Sequence, residues 1–365
     1  MQKSFRFSIF LVILQLAFYG RVQGLCERNQ QFIDNYFQKD GTIILNGLIG
    51  EGEYNEVYRL KWRGLANDQA ETIVAVKIPK ATEDLENSPT EGLIKEERIL
   101  KKAVPKIGTN HLPVLHGCYI DDNNQYYLVT QYLTISLAPD FLNINELEES
   151  KKNKEYIEFV NLPPLDRFEV YAQIAEGLHQ LHENKITHGD LKPENLLFEK
   201  TANNWNAYLV DFGGSAEIQV RPKIFTPTYI DEDFYNHYFA SNDADLPPEE
   251  MKFYEFGPKL DVYALAITIF VFENSYDHGR KRVVSPSDYI IYEGRNMLYV
   301  IRKIKDLLSE GSWIDERKLN FANDENFSFK ELIRTMMAEK PKDRPTAQRV
   351  AHDLRSMKFL ANMII

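Results

Sequence analysis

Apolar residues in the first third of the chain form short runs that turn residues separate. The runs at 57–62 and 72–78 are rich in β-branched and aromatic residues, and a shorter run at 43–45 precedes them. Two more runs flank the turn sequence at 121–124, one just before it and one covering 126–132. This pattern predicts five antiparallel strands joined by turns.

A helical pattern separates the third and fourth of these strands. The sequence Ser-Pro-Thr-Glu at 88–91 has the form of a capping box, in which the first residue caps the helix and the last reaches back. The residues that then recur on one stripe at helical spacing are Leu93, Glu96, Leu100 and Ala103. A carboxylate in an apolar stripe needs a cation or a hydrogen bond, so we expect Glu96 to have a partner.

Helical spacing prevails in the rest of the chain. A strongly periodic stretch covers 166–184, and a stretch at 260–272 is apolar almost all round, which is typical of a buried helix and too short to span a membrane. The charged stretch at 146–158 is interpreted as a solvated insertion. Further helices are predicted at 297–308, 329–337 and 347–359. The predicted fold class is α+β, with a five-stranded antiparallel lobe that carries one main helix, followed by a mostly helical lobe.

Composition changes this picture little. Of the 365 residues, 44% are hydrophobic and 27% are charged, as in ordinary globular proteins, and the length favours two lobes over one core. The formal net charge is −11, so we expect no nucleic-acid partner.

The N-terminus has the pattern of a secretory signal peptide. Lys3 and Arg6 precede the apolar run at 7–19, and Val-Gln-Gly at 22–24 offers small residues for cleavage. We therefore predict a cleaved signal peptide over 1–24 and a protein of the secretory pathway or outside the cell. The alternatives are an uncleaved anchor at 7–19, which would contact the membrane, and a cytoplasmic protein with an apolar leader.

Two cysteines are too few for a disulfide framework. Cys26 and Cys118 can pair in an oxidising lumen or remain free thiols, one of them buried, and we favour the free thiols. The sequon at Asn326 is relevant only if the chain enters the secretory pathway.

The chemistry of the chain is concentrated at 187–197. This stretch reads Thr-His-Gly-Asp-Leu-Lys-Pro-Glu-Asn-Leu-Leu and brings Asp190, Lys192 and Asn195 within six residues, while Asp211 opens an Asp-Phe-Gly downstream. Carboxylate and amide oxygens suit Mg²⁺, and a nearby lysine suits a phosphate. The two motifs resemble the catalytic loop and metal-binding motif of the eukaryotic-type protein kinases, and the lysine resembles that of the serine/threonine branch.

This resemblance implies a bilobal kinase domain over 43–362, divided into lobes at 43–132 and 134–362. It implies ATP and Mg²⁺ as cofactors and a serine or threonine of a protein as the acceptor. Asp190 would orient the acceptor hydroxyl, Lys192 would neutralise the γ-phosphate, and Asn195 and Asp211 would hold the metal.

The resemblance extends to the nucleotide-binding residues of the first lobe. A glycine-rich loop lies at 49–57, although Asn55 replaces its third glycine and could lower nucleotide affinity. Val-Ala-Val-Lys at 74–77 resembles the strand whose lysine pairs with the helix glutamate, here Glu96. The implied ATP-binding residues are Ile49, Gly50, Gly52, Val57, Ala75, Lys77, Glu96, Thr130, Gln131, Leu133 and Leu197.

Structural roles follow from the same resemblance. His188 and Phe212 would pack in the interior, Asp261 would anchor the catalytic loop, and Glu249 would pair with Arg344.

The chain departs from the family in its activation segment. Asp-Glu-Asp at 231–233 stands where Ala-Pro-Glu is usual, and Pro-Pro-Glu at 247–249 comes later, so the segment either contains an insertion, which we favour, or has degenerated. Gly189 replaces the arginine that binds a phosphorylated loop, which suggests that activity does not require loop phosphorylation. Two other functions remain open, a pseudokinase scaffold and a kinase of small molecules or lipids.

Overall fold

The computed structural model describes residues 27–28, 38–39, 42–43, 47–51, 54–62, 72–80, 89–104, 111–133, 135–138, 151–202, 204–217, 253–274, 276–277, 282–283, 329–338 and 340–364. The predicted signal peptide, Gly52, Glu249, the predicted helix at 297–308 and the sequon at Asn326 lie outside these residues. The chain divides into two units, residues 1–105 with 113–132 and residues 106–112 with 133–365.

The first unit contains a six-stranded sheet. Its strands in chain order are β1 Glu27–Arg28, β4 Leu48–Glu51, β5 Asn55–Trp62, β6 Thr72–Pro79, β7 Leu115–Ile120 and β8 Tyr126–Gln131, and their spatial order is β1-β7-β8-β6-β5-β4. The five strands β4 to β8 pair antiparallel, as predicted. The two-residue strand β1 was not predicted, and it pairs parallel with β7.

The first predicted strand was misplaced. The run at 43–45 was expected to form the first antiparallel strand, but that strand begins at Leu48, while β2 Gln38–Lys39 and β3 Thr42–Ile43 form a separate pair. The register sets Glu51, the last residue of β4, opposite Glu56 of β5. Gly47 extends the ladder, because its carbonyl accepts the Arg59 N–H at 2.7 Å.

Helix α1, Pro89–Ala103, covers one face of this sheet. All four residues of the predicted stripe are buried in it. Leu93 and Ile94 pack with Cys118, Ile120, Tyr126 and Leu128 of the sheet. The helix therefore places Glu96 over the sheet face that also carries Lys77.

The second unit is mostly helical, as predicted. Its helices are α2 Lys151–Val160, α3 Pro164–Glu183, α4 Phe253–Asn274, α5 Phe329–Met336 and α6 Ala347–Ile364. Its short strands are β9 Ile135–Ser136, β10 Ile186–Thr187, β11 Leu196–Lys200, β12 Trp205–Leu209, β13 Ala216–Glu217, β14 Tyr276–Asp277 and β15 Arg282–Val283. In α4 every residue from Leu260 to Phe272 is buried, as its apolar sequence predicts. Among the described helices, none combines the length and the apolar character that a membrane span needs.

The charged stretch at 146–158 is not simply a solvated insertion. Its second half begins α2, in which Tyr156 and Phe159 are fully buried. The Tyr156 hydroxyl donates a hydrogen bond to the Phe272 carbonyl at 2.7 Å. The many charges concealed an apolar stripe, with Tyr156, Phe159 and Val160 at helical spacing.

The expectation of two free thiols is wrong. Cys118 is disulfide-bonded, and no cysteine in the described part of the chain is free.

A buried ion pair joins α3 to α4. The Arg167 guanidinium donates to both carboxylate oxygens of Glu273, at 2.8 and 2.9 Å, and to the carbonyls of Val160 and Leu162 at 3.1 and 2.5 Å. The Tyr171 hydroxyl donates to the same carboxylate at 2.6 Å. Because both charged side chains are largely buried, each depends on the other for its hydrogen bonds.

We predict that Arg167→Ala lowers the free energy of unfolding by roughly 3–5 kcal/mol, because it leaves the Glu273 carboxylate buried without its cation. Chemical denaturation of the full chain measures the loss. The matched control is Arg349→Ala, which removes a pair with Asp353 from a side chain that is 60% exposed and is expected to change stability little. Equal losses in the two variants would contradict the structural role of the Arg167 network.

Candidate active site

An ion pair between β6 and α1 is the polar centre of the first unit. The Lys77 Nζ lies 2.6 Å from Oε1 and 2.9 Å from Oε2 of Glu96. The lysine side chain is 16% exposed and the carboxylate side chain 3%, so the lysine is the member of the pair that solvent or a ligand can reach. The partner expected for Glu96 from its apolar stripe is therefore this lysine.

The predicted nucleotide residues of the sheet share one face. Directly opposite residues in antiparallel strands point to the same side, and Lys77 lies opposite Val57 while Ala75 lies opposite Thr130. Ala75 and Thr130 are buried. This face thus presents the small side chains of Ala75 and Thr130 beside the Lys77 cation, a surface that can accept a flat base and its phosphates.

The glycine-rich loop is described only in part. Ile49 is 45% exposed, and Gly50 lies opposite Val57. At the far end of the sheet Gln131 is tied to Val114, with its backbone N–H donating to the Val114 carbonyl at 2.8 Å.

Two further polar groups lie buried beside Glu96. Glu97 Oε2 and the Tyr126 hydroxyl have no hydrogen-bond partner within the part of the chain that the structure describes, while the other oxygen of Glu97 pairs with Lys101. Burial raises the pKa of Tyr126, and the carboxylates of Glu97 and Glu96 raise it further. The sequence offers Glu97 as the adjacent alternative to Glu96 for the pair with Lys77, but it did not identify Tyr126.

In the second unit, the catalytic-loop residues predicted from sequence lie together. The Lys192 Nζ is 3.0 Å from Oδ2 of Asp190, and the Asn195 amide donates to that oxygen at 2.9 Å and to the Asp190 carbonyl at 2.7 Å. The other oxygen of Asp190, Oδ1, accepts no hydrogen bond from the described residues. A buried carboxylate oxygen without a donor is available to accept one from a hydroxyl.

A hairpin brings the two predicted metal residues to one place. Strands β11 and β12 pair with Leu196 opposite Leu209, and the Val210 N–H donates to the Asn195 carbonyl at 3.0 Å. Asn195 and Asp211 therefore flank the same end of the hairpin. The exposed Asp211 has a left-handed backbone, with φ of 63°, and its Oδ1 accepts the Gly213 N–H at 3.2 Å.

These residues fit Mg²⁺. The amide nitrogen of Asn195 is bound to Asp190, so its oxygen is the group left for a cation, and Asp211 adds a carboxylate. The described residues contain no group of three or more His, Cys, Asp or Glu side chains able to hold a metal. Mg²⁺ suits such a sparse set because it commonly binds one or two protein oxygens and completes its shell with phosphate and water.

Asp261 of α4 holds the backbone of the catalytic loop by hydrogen bonds. It is 1% exposed, and its two oxygens accept the backbone N–H groups of His188 and Gly189 at 2.8 and 2.9 Å. The His182 ring nitrogen Nε2 lies 2.8 Å from the same carboxylate. Sequence reasoning missed His182, although a histidine in the last turn of a helix that otherwise buries its apolar face is a detectable signal.

The remaining predicted residues have defined positions. His188 and Phe212 are fully buried with their rings 5.5 Å apart. Leu133 is buried, and Leu197 is half-buried in β11 opposite Tyr208. Arg344 is buried against the Tyr263 ring and donates to the Ala338 carbonyl at 2.9 Å. Its predicted pairing with Glu249 stays a prediction, because that glutamate lies outside the described residues.

Comparisons with known proteins agree with this arrangement. Calcium-dependent protein kinase 4 of Plasmodium falciparum (isolate 3D7) is 28% identical over 56% of this chain and 36% of its own length. Myosin light chain kinase 3 of Rattus norvegicus is 25% identical over 58% of this chain and 24% of its own length. Serine/threonine-protein kinase dst4 of Dictyostelium discoideum is 28% identical over 60% of this chain and 38% of its own length. The chain thus spans well under half the length of these curated relatives.

The family model of the protein kinase domain matches residues 44–354, which is most of the chain. The match includes both halves of the geometry described above, the Lys77–Glu96 pair in one unit and the Asp190 cluster in the other. The protein belongs to the protein kinase domain family.

Proposed function

We propose that this chain is an ATP- and Mg²⁺-dependent protein serine/threonine kinase. The observation that carries the proposal is the buried Asp190 carboxylate, which has Lys192 and Asn195 on one oxygen and no partner on the other within the described residues. The names of several relatives, including a serine/threonine-protein kinase, support a hydroxyl acceptor.

The residues divide the work of phosphoryl transfer. Asp190 Oδ1 orients the acceptor hydroxyl and takes its proton, while Lys192 stabilises the negative charge of the transferred group. Lys77, held by Glu96, binds nucleotide phosphates. Asn195 and Asp211 would hold Mg²⁺ through their side-chain oxygens. Bound Mg-ATP supplies the phosphoryl group and a divalent charge that lowers the barrier to its transfer.

The competing function is a pseudokinase scaffold. Asn55 replaces the third glycine of the phosphate-binding loop, and its side-chain oxygen is buried without a partner among the described residues. A scaffold would bind nucleotide but not turn it over, so the two functions differ in turnover and not in binding.

We predict that Asp190→Asn lowers phosphotransfer from Mg-ATP to a basic protein by roughly 10²–10⁴-fold, because an amide cannot take the hydroxyl proton. ATP binding should persist in this variant, as measured by the shift in melting temperature that ATP causes. The matched control is Glu194→Gln in the same loop, where the glutamate is exposed and no loss of turnover is expected. Equal turnover by the wild type and Asp190→Asn would favour the scaffold.

We predict that Lys77→Met weakens ATP binding at least several-fold, because it removes the cation that Glu96 presents to the phosphates. Isothermal titration with Mg-ATP measures the effect. Lys80→Met is the control, since Lys80 lies at the end of the same strand region and pairs with Glu51, a side chain that is 60% exposed. Unchanged affinity in the Lys77 variant would argue against its role as a phosphate ligand.

We also propose that turnover does not require phosphorylation of the activation segment. Gly189 has no side chain to bind a phosphate, and the loop backbone is instead held by the Asp261 carboxylate. Phosphatase treatment should therefore leave the rate of phosphotransfer unchanged, as measured with mass-spectrometric proof that no phosphate remains. The prediction would be refuted if phosphatase treatment abolished turnover and phosphorylation of a residue within 218–252 restored it.

A further inference from the structure

The disulfide of Cys118 lies inside the core of the first unit. Cys118 is 6% exposed in β7 and packs in the cluster with Leu93 and Ile94 of α1. Because Cys118 is buried in this cluster, its sulfur belongs to the packed interior of the unit.

The strand that contains Cys118 also pairs with a segment near the N-terminus. Strand β1 pairs with β7 so that Glu27 lies opposite Tyr119 and Arg28 opposite Ile120. In the sequence, Cys26 directly precedes the first of these pairs on one strand and Cys118 directly precedes it on the other. The disulfide and the parallel pairing are two separate observations that join the residues following position 24 to the edge of the sheet.

We propose that Cys118 is bonded to Cys26, the only other cysteine in the sequence, and that this disulfide fastens the start of the mature chain to the kinase domain. It follows that the enzyme folds and phosphorylates proteins in an oxidising compartment, the secretory lumen or the space outside the cell. The segment that the bond secures begins where the predicted signal peptide ends. The choice of compartment as the place of phosphorylation rests on the proposed kinase function, whereas the disulfide itself does not.

The chemistry requires such a compartment. Two thiols lose two protons and two electrons to form the bond, and a disulfide carried by an oxidoreductase or by oxidised glutathione accepts the electrons and becomes a dithiol or two thiols. Reducing cytosol keeps structural thiols reduced, while the secretory pathway maintains disulfides.

The Cys118 sulfur also lies against α1, the helix whose Glu96 holds Lys77. Cys118 Sγ lies 3.6 Å from Oε1 of Glu97, whose side chain is fully buried beside Glu96 in α1. A disulfide carries no proton, whereas a reduced Cys118 would add a donor at this carboxylate and remove a covalent restraint from the adjacent strand. Reduction should therefore affect ATP binding as well as stability.

The first experiment locates the bond in cells. The full chain, with a C-terminal tag, is expressed in a eukaryotic cell line, free thiols are alkylated before lysis, and the protein is digested without reduction. We expect a linked peptide that contains Cys26 and Cys118, recovered from the lumenal fraction or the medium. Recovery of both cysteines in alkylated form would overturn the proposal.

The second experiment tests what the bond does. Cys26→Ser leaves Cys118 and the core intact, and it should lower the melting temperature of the purified enzyme by roughly 5–15 °C, because the bond closes a loop of roughly 90 residues. Cys118→Ser should cause a similar shift, the double variant no more than either, and reductant should bring the wild type to the same value. A wild type insensitive to reductant, or a Cys26→Ser variant with unchanged melting, would overturn the proposal.

The result is separable from that of the kinase assay. A linked peptide in a protein without turnover would support the disulfide and contradict the proposed kinase function. Turnover by an enzyme whose cysteines are both alkylated in cells would support kinase function and contradict this inference. Reduction of the wild type is also expected to raise the KM for ATP several-fold, because Cys118 lies against the helix that carries Glu96.

Discussion

The buried carboxylate of Asp261 is the constraint on which the catalytic unit depends. A charge at 1% exposure is unfavourable unless donors surround it, and three are present, the N–H groups of His188 and Gly189 and the ring of His182. The apolar helix α4 can carry this charge because the loop and α3 satisfy it. In return, α4 holds the backbone of the loop that carries Asp190.

The first unit solves a similar problem with two adjacent carboxylates. Glu96 and Glu97 are both buried on α1, but Glu96 pairs with a lysine of the sheet, Lys77. Glu97 pairs with Lys101 of its own helix and lies against the Cys118 sulfur and near the Tyr126 ring. Glu96 therefore positions the lysine of the candidate site, while Glu97 contributes to the packing of the helix. A change in that packing would also move Glu96.

The fold class and the catalytic cluster were predictable because they depend on residues that lie close together along the chain. Asp190, Lys192 and Asn195 are close along the chain, and strand alternation alone places Ala75 and Lys77 on one face. Other features depend on distant residues. The buried hydroxyl of Tyr156 needs the Phe272 carbonyl as its hydrogen-bond acceptor. Strand β1 forms by pairing with the edge strand β7. The disulfide had no local signal, since pairing requires knowledge of which strands become neighbours.

Gly189 connects the loop geometry to the question of regulation. Its φ of 77° is a conformation that a side chain would strain, and in that conformation its N–H donates to Asp261. An arginine at this position would have to accept the strain or give up the hydrogen bond, so the glycine exchanges a phosphate-binding side chain for a better-anchored backbone. Under the two proposals, both units are held by permanent contacts, a buried carboxylate in one and a disulfide in the other. On these two proposals the enzyme needs no second kinase to order it, which suits a compartment where intracellular signalling enzymes are absent.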